Sequence, residues 1–252
     1  MSWGFDDRDA GRSKKDRNLY RAHRAHGEEH GPRVREMTLG NSGPRVGGYV
    51  LAGGGSTRFG RDKALVEFAG KPMLARMIEL LKNSVQDVRI VAAPGKYTDF
   101  QTEIVQDGWP GEGPLGGIVT ALLYTQEHQP ASECNIIVSC DMPFLTVDWM
   151  KYLAGRAAGS SADVVLPHSM HGPEPLCACY RTGAAQPLRS VFESGVRKVT
   201  EALKQVATEV LDERDWKRFD SVGRLFWNMN TAADYDEARR ILQRKEIDGR
   251  RD

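Results

Sequence analysis

Between Tyr49 and Lys63 the chain reads Tyr-Val-Leu-Ala-Gly-Gly-Gly-Ser-Thr-Arg-Phe-Gly-Arg-Asp-Lys. Glycine has no Cβ, so Gly53, Gly54 and Gly55 can turn the backbone sharply and bring bare N–H groups against a bulky anion. Arg58 adds a planar fork of donors and Lys63 a mobile point charge. Further along, Asp107 and Asp141 each stand at the end of an expected strand. A loop of amides, two cations and isolated carboxylates are the groups that hold a polyphosphate with a hard cation beside it.

These side chains need a scaffold. Tyr49-Val50-Leu51-Ala52 is a short apolar run that breaks into glycines, the pattern of a buried strand feeding a tight loop. A P-loop would require G-x-x-x-x-G-K-[ST], but Gly60 is followed by Arg61-Asp62-Lys63-Ala64. A dinucleotide fingerprint would require a last glycine where Arg58 stands. A bare triple glycine reads as a flexible turn between solvated charges. With the strand before it and Arg58 and Lys63 after it, a phosphate loop is the better reading.

Val88–Ala93 and Glu103–Asp107 read as the next strands, the second ending on an acid. Between them and the loop, Met73, Leu74, Met77, Ile78 and Leu81 recur at helical spacing behind Pro72. Residues 108–117 form a second glycine-rich loop, with a helix expected from Ile118. A loop joining a strand end to a helix start is where α/β sheets bind ligands. Asp107 alone reads equally as a ligand contact and as a structural residue, a turn or helix-entry cap. In the strand from Asn135, Ile136–Val138 is a β-branched run that leads to Asp141 at its C-terminal edge, and Mg²⁺ beside a polyphosphate takes one or two such carboxylates. Asp141 could cap a helix, but the next helix is expected only from about Asp148. Cys140 reads as a small core residue, with no His near it in sequence.

Strands follow at Ala162–Pro167, Leu176–Arg181 and Glu209–Leu211, with helices at 183–193, 199–205 and 232–244. His168, His171 and Glu174 have spacing that could suit a metal, but Gly172-Pro173 forbids a helical face, so a substrate-binding loop is the preferred reading. Arg197-Lys198 before a helix start could meet a second phosphate; by itself the pair reads as a solvated face. Strands alternating with helices specify an α/β fold, a doubly wound, Rossmann-like and mostly parallel sheet.

Leu51, Ala52, Gly53, Gly54, Ser56, Arg58, Phe59, Gly60, Asp62 and Lys63 match L-A-G-G-x-S-x-R-[MF]-G-x-D-K. This resembles the opening motif of the molybdenum cofactor guanylyltransferase family. Asp107, Gly113, Pro114, Leu115 and Gly117 are similar to its D-x(n)-G-P-L-x-G segment, and Cys140-Asp141-Met142-Pro143 to its C-D-x-P metal motif. Pro175, Leu176, Ala178 and Tyr180 keep a further strand motif, and Asn228, Asn230 and Thr231 an N-x-N-T ending, with Thr231 as a helix cap. The resemblance spans residues 47–244 and implies a nucleotide-diphospho-sugar transferase type of fold. It implies Arg58, Lys63 and Asp141 as catalytic residues, with Asp141 on Mg²⁺. It implies nucleotide binding by Leu51, Ala52, Gly53, Gly54, Lys63, Asp107 and Asp141. Arg197, Lys198, Asn228 and Asn230 fall on the pterin-phosphate side, and related nucleotidyltransferases complete the metal shell near Asn230. The implied substrates are GTP and Mo-molybdopterin, and molybdoenzyme-maturation proteins are further implied partners. Relatives that transfer a cytidylyl group usually show alanine at the Gly53 position. A cytidylyl or sugar-phosphate nucleotidyltransferase, or a non-catalytic nucleotide-binding protein, are the alternatives.

The 252 residues suffice for one large α/β domain, and 35 basic against 34 acidic residues give no general argument for nucleic acid or a membrane. The N-terminus lacks the apolar core of a secretion signal and no apolar run reaches spanning length. Cys134, Cys140, Cys177 and Cys179 show no metal spacing, which suits a reducing cytoplasm. Residues 1–45 carry ten Lys/Arg and seven Asp/Glu with few large apolar side chains, the composition of a disordered basic arm. Met37 is an alternative start. The folded domain is expected over residues 46–245, with a charged tail at 246–252.

Overall fold

The computed structural model describes residues 45–53, 62–220 and 222–248, with side chains as far as residue 244. The expectations for the N-terminal arm, and for Gly54 and Arg58, therefore lie outside the described residues.

Seven strands run side by side in the order β10-β7-β9-β6-β1-β4-β5. They are β1 (Arg45–Leu51), β4 (Asp87–Ala92), β5 (Glu103–Gln106), β6 (Ser132–Ser139), β7 (Val164–Ser169), β9 (Cys177–Arg181) and β10 (Thr208–Leu211). A short strand β8 (Gly172–Pro173) folds back on β7, and β2 (Glu67–Phe68) pairs with β3 (Lys71–Pro72) in a separate ribbon. β1 is parallel to both β4 and β6, and β4 to β5. β9 alone runs against its neighbours β6 and β7. The sheet is thus mostly parallel, as expected. The inverted strand follows from the β8 hairpin, which turns the chain back after β7.

Side chains on adjacent strand positions point to opposite faces, and the two cores follow that period. Val50, Ile90, Ala92, Ile136 and Val138 face one layer, which holds α1 (Met73–Lys82), α3 (Val147–Ala158), α6 (Glu213–Trp216) and α7 (Ala232–Asp248). Tyr49, Leu51, Val91 and Ile137 face the other, built from α2 (Pro114–His128), α4 (Ala185–Glu193) and α5 (Val199–Ala202). A central strand apolar on both faces must be covered on both, which is why Tyr49–Leu51 in β1 and Ile136–Val138 in β6 read as unbroken hydrophobic runs. Among the described residues no helix is long and apolar enough to cross a membrane.

Most element boundaries shift by a residue or two from the sequence reading, and two helices differ by more. α2 begins at Pro114, not at Ile118, so Gly116 and Gly117 are helical. They are there for close approach: a Cβ on Gly116 would lie 3.1 Å from the Trp109 side chain, and one on Gly117 3.4 Å from Leu51. Pro114 sits in the first turn, where its missing N–H costs nothing. α7 extends to Asp248, past the expected end near 244, because strong helix formers continue with no glycine before Gly249.

Candidate functional site

The chain leaves β1 for β4 and β5 on one side, then returns to place β6 on the other side of β1. Such a reversal opens a crevice at the carboxyl ends of the strands. A cavity of about 330 Å³ lies there, lined by Leu51, Ala52 and Gly53 from the end of β1, with Lys63, Asp107 and Asp141 around it.

Lys63 opens a 3₁₀ turn over Lys63–Leu65. Asp62 caps it, accepting a hydrogen bond from the Ala64 N–H at 3.2 Å. The Lys63 ammonium donates to Asn230 Oδ1 at 2.9 Å and stands 3.8 Å from Asp141 Oδ2. Asp141 follows β6. Its Oδ1 accepts from the Ser139 hydroxyl at 2.6 Å, and its carbonyl accepts from the Met229 N–H at 2.9 Å. The segment before α7 is thereby tied to the end of β6, which puts Asn230 beside Lys63. Asp141 caps no helix: Thr146 caps α3, accepting from the Trp149 N–H at 3.2 Å. Cys140 is buried in the core beneath the cavity, and desolvation pushes its thiol up to about 12, so it remains protonated.

Asp62 is held from three sides. Burial alone raises its carboxyl pKa, but hydrogen bonds from Lys96, Tyr97 and the Ala64 N–H outweigh burial and hold it below the ordinary range. Lys96 Nζ is 2.8 Å from Oδ2, and the Tyr97 hydroxyl is 3.0 Å from both oxygens. Nothing in the sequence marks Lys96 or Tyr97, which sit in an ordinary-looking connection between strands. The signal is conformational: Tyr97 has φ 61, a left-handed backbone rare for a bulky residue.

Across the cavity, Asp107 Oδ1 accepts from the Trp109 N–H at 3.0 Å, the turn role open from sequence. The Thr120 hydroxyl lies 3.3 Å from that oxygen and 2.9 Å from the Gly116 carbonyl; with one proton to give, the shorter contact is the better donor geometry. The Gly108 N–H donates to the same hydroxyl at 3.1 Å. Asp107 Oδ2 is turned toward Gly53, where a Cβ would approach it to 3.9 Å. The turn role and a free face toward the cavity thus coexist.

The four residues grouped on the pterin side do not assemble together. Asn230 is with Lys63. Asn228 donates to the Phe226 carbonyl at 3.2 Å. Arg197 donates to Glu112 at 2.7 Å and to the Phe192 carbonyl at 2.7 Å, with its guanidinium 4.1 Å from the Phe192 ring centre. It braces the glycine-rich loop from behind. Lys198 stands at the N-cap position of α5 with no side-chain capping bond, and that helix is only four residues long.

On the β7–β8 hairpin, Glu174 is buried and accepts from the Ser169 hydroxyl at 2.6 Å. Desolvation pushes its carboxyl up. Among the described residues no three metal-ligating side chains cluster, at this hairpin or elsewhere.

A doubly wound sheet with a cleft at its switch point, edged by a lysine and a strand-end aspartate, is the architecture in which α/β proteins hold ligands. A family model described as "MobA-like NTP transferase domain" matches residues 48–207, and the chain belongs to that nucleotidyltransferase family. A relative from Clostridium perfringens named "Probable molybdenum cofactor guanylyltransferase" is 28% identical over 201 residues, 79% of this chain and 96% of the relative. A relative of the same name from Chloroflexus aggregans is 31% identical over 201 residues, 75% of this chain and 91% of its own length. The solved structure of molybdopterin-guanine dinucleotide biosynthesis protein A from Archaeoglobus fulgidus is 25% identical. It covers 79% of this chain and 99% of its own, with a TM-score of 0.68. The fold is that of the nucleotide-diphospho-sugar transferases.

Proposed function

We propose that this chain transfers GMP from GTP to the terminal phosphate of Mo-molybdopterin, releasing pyrophosphate and forming the guanine dinucleotide cofactor. The single observation that carries the reading is the convergence of Lys63 and Asp141, 3.8 Å apart, on a cleft at the sheet's switch point. The names of the relatives agree with it.

A phosphate monoester is already anionic near neutral pH, so the acceptor needs no general base. One of its oxygens attacks the α-phosphorus; the bond from that phosphorus to the bridging oxygen breaks, and the electron pair leaves with pyrophosphate. Lys63 neutralises charge on the phosphates, and its partner Asn230 fixes its aim. The Asp107 carboxylate, half-buried and facing Gly53, can accept from the N1–H and amino donors of a guanine edge. One carboxylate oxygen left by the Ser139 hydroxyl suits Mg²⁺, which takes one or two carboxylates plus phosphate and water oxygens. Asp141 would hold it, and the ion would supply charge neutralisation on the phosphates. Catalysis is then positioning and electrostatics.

The test is purified protein given each of the four ribonucleoside triphosphates with Mg²⁺ and Mo-molybdopterin, scored for dinucleotide and pyrophosphate. The reading expects product from GTP. Equal or better product from CTP, or none from any nucleotide, would reject it.

A further inference from the structure

We infer that Tyr97 is a positioning residue for this site: it locks the Asp62 carboxylate and, through Asp62, the turn that aims Lys63 into the cleft. The expected rate effect rests on the nucleotidyl-transfer reading; the geometry does not.

Tyr97 sits in the connection from β4 to β5 and lines the cavity. Its hydroxyl reaches both Asp62 oxygens at 3.0 Å, while Lys96 takes Oδ2 at 2.8 Å. The third contact on that carboxylate is the Ala64 N–H at 3.2 Å, which closes the turn containing Lys63. Lys63 is therefore flanked in sequence by the two residues that this carboxylate joins. Any swing of Asp62 would carry the Lys63 backbone with it and move the ammonium off Asn230 and Asp141. A displacement of about an ångström at a reacting centre can cost on the order of a hundredfold in rate.

Two further observations fit a locking role. Tyr97 holds φ 61, and a bulky residue keeps that conformation only where its surroundings over-determine it. Here they do: Phe100 donates its N–H to the Tyr97 carbonyl at 3.1 Å and sets its ring edge-on at 6.2 Å. Burial and the Asp62 charge both push the Tyr97 hydroxyl pKa up, so it stays a donor wherever the enzyme works. The three contacts on Asp62 come from two connections far apart in sequence, so the lock joins the turn after β1 to the end of β4. A hydroxyl acting only as a structural tether would lower the thermal midpoint and leave kcat of the folded enzyme unchanged.

The experiment compares parent, Tyr97→Phe, Asp62→Asn and the double variant by thermal midpoint, by affinity for GTP with Mg²⁺ in calorimetry, and by kcat and KM for pyrophosphate release. Tyr97→Phe should keep the parent midpoint within a few degrees. It should lower kcat about tenfold and change the GTP KM less than threefold. On the Asp62→Asn background the same substitution should change kcat and GTP affinity less than twofold, because its target is already loosened. Parent kcat in Tyr97→Phe, or the same fold-loss on both backgrounds, would overturn the inference. A parent that turns over no nucleotide would reject the functional reading instead. The inference would then be judged on GTP affinity, where additive changes overturn it and non-additive changes support it.

Discussion

At one end of the cleft Lys63 stands between the amide of Asn230 and the carboxylate of Asp141, contacts that a ligand could take over. At the other end Asp107 spends one oxygen on its own turn and presents the other toward Gly53, with a helix start and a glycine-rich loop around it. The first end manages charge and the second manages shape. Charge can be read from residue types, since a lysine and an aspartate at strand edges carry their chemistry with them. Shape depends on which atom is left uncovered, and that is set by packing.

The contrast predicts a ranking. Asp141→Ala should lower turnover by roughly a thousandfold or more while the protein stays folded, since its carboxylate accepts from Ser139 and faces Lys63 at the cleft rather than filling the core. Folded protein with near-parent Mg²⁺-dependent pyrophosphate release would remove Asp141 from the chemistry. Lys63→Ala should cost on the order of a hundredfold in kcat/KM for the triphosphate; a titration giving equal affinity and equal rate would contradict it. At the other end, Gly53→Ala should leave the midpoint unchanged, because the added Cβ meets Asp107 Oδ2 at an ordinary 3.9 Å. It should cut use of GTP about tenfold by crowding the face that a purine would occupy, and CTP much less. An equal loss for every nucleotide would show that Gly53 does not read the base.

Two smaller effects probe the supports. Arg197→Ala should cost about 0.5–1 kcal/mol of stability, from its stacking on Phe192 and its exposed pair with Glu112, with turnover changed only modestly. A hundredfold loss of turnover would return Arg197 to the phosphate side. Asp62 has its carboxyl held below the ordinary range, so the stability it contributes is complete above the usual carboxylate pKa of about 4 and is lost as pH falls through the lower folded value. The midpoint gap between parent and Asp62→Asn should therefore close only below about pH 4, and a gap that instead closes toward alkaline pH would reverse the assignment.

The same division explains what could be read in advance. Tyr49–Ala52 and Ile136–Val138 announce themselves as buried strands because both faces of each are covered, leaving no polar period to confuse them. Asp141 stands out because it ends such a run. Resemblance puts Asn230 near a metal shell, but its bond to Lys63 follows from the Met229–Asp141 tie, a backbone contact invisible in side-chain types. Gly116 and Gly117 looked like loop glycines, since composition does not distinguish a glycine that turns the chain from one that lets a helix approach Trp109 and Leu51. Tyr97 and Lys96 were missed because a lone tyrosine between strands carries no periodic signal, and only the fold brings it to Asp62.

Whether Lys63 and Asp141 serve one reacting group is tested most directly by a double-substitution cycle on pyrophosphate release, using parent, Lys63→Ala, Asp141→Ala and the pair together. Groups that act as a unit lose little more when both are removed than when the more important one is gone. The paired variant should therefore fall within about threefold of Asp141→Ala alone. Losses that multiply in full would mean that the two side chains act independently, and that the ammonium and carboxylate do not meet on a common phosphate.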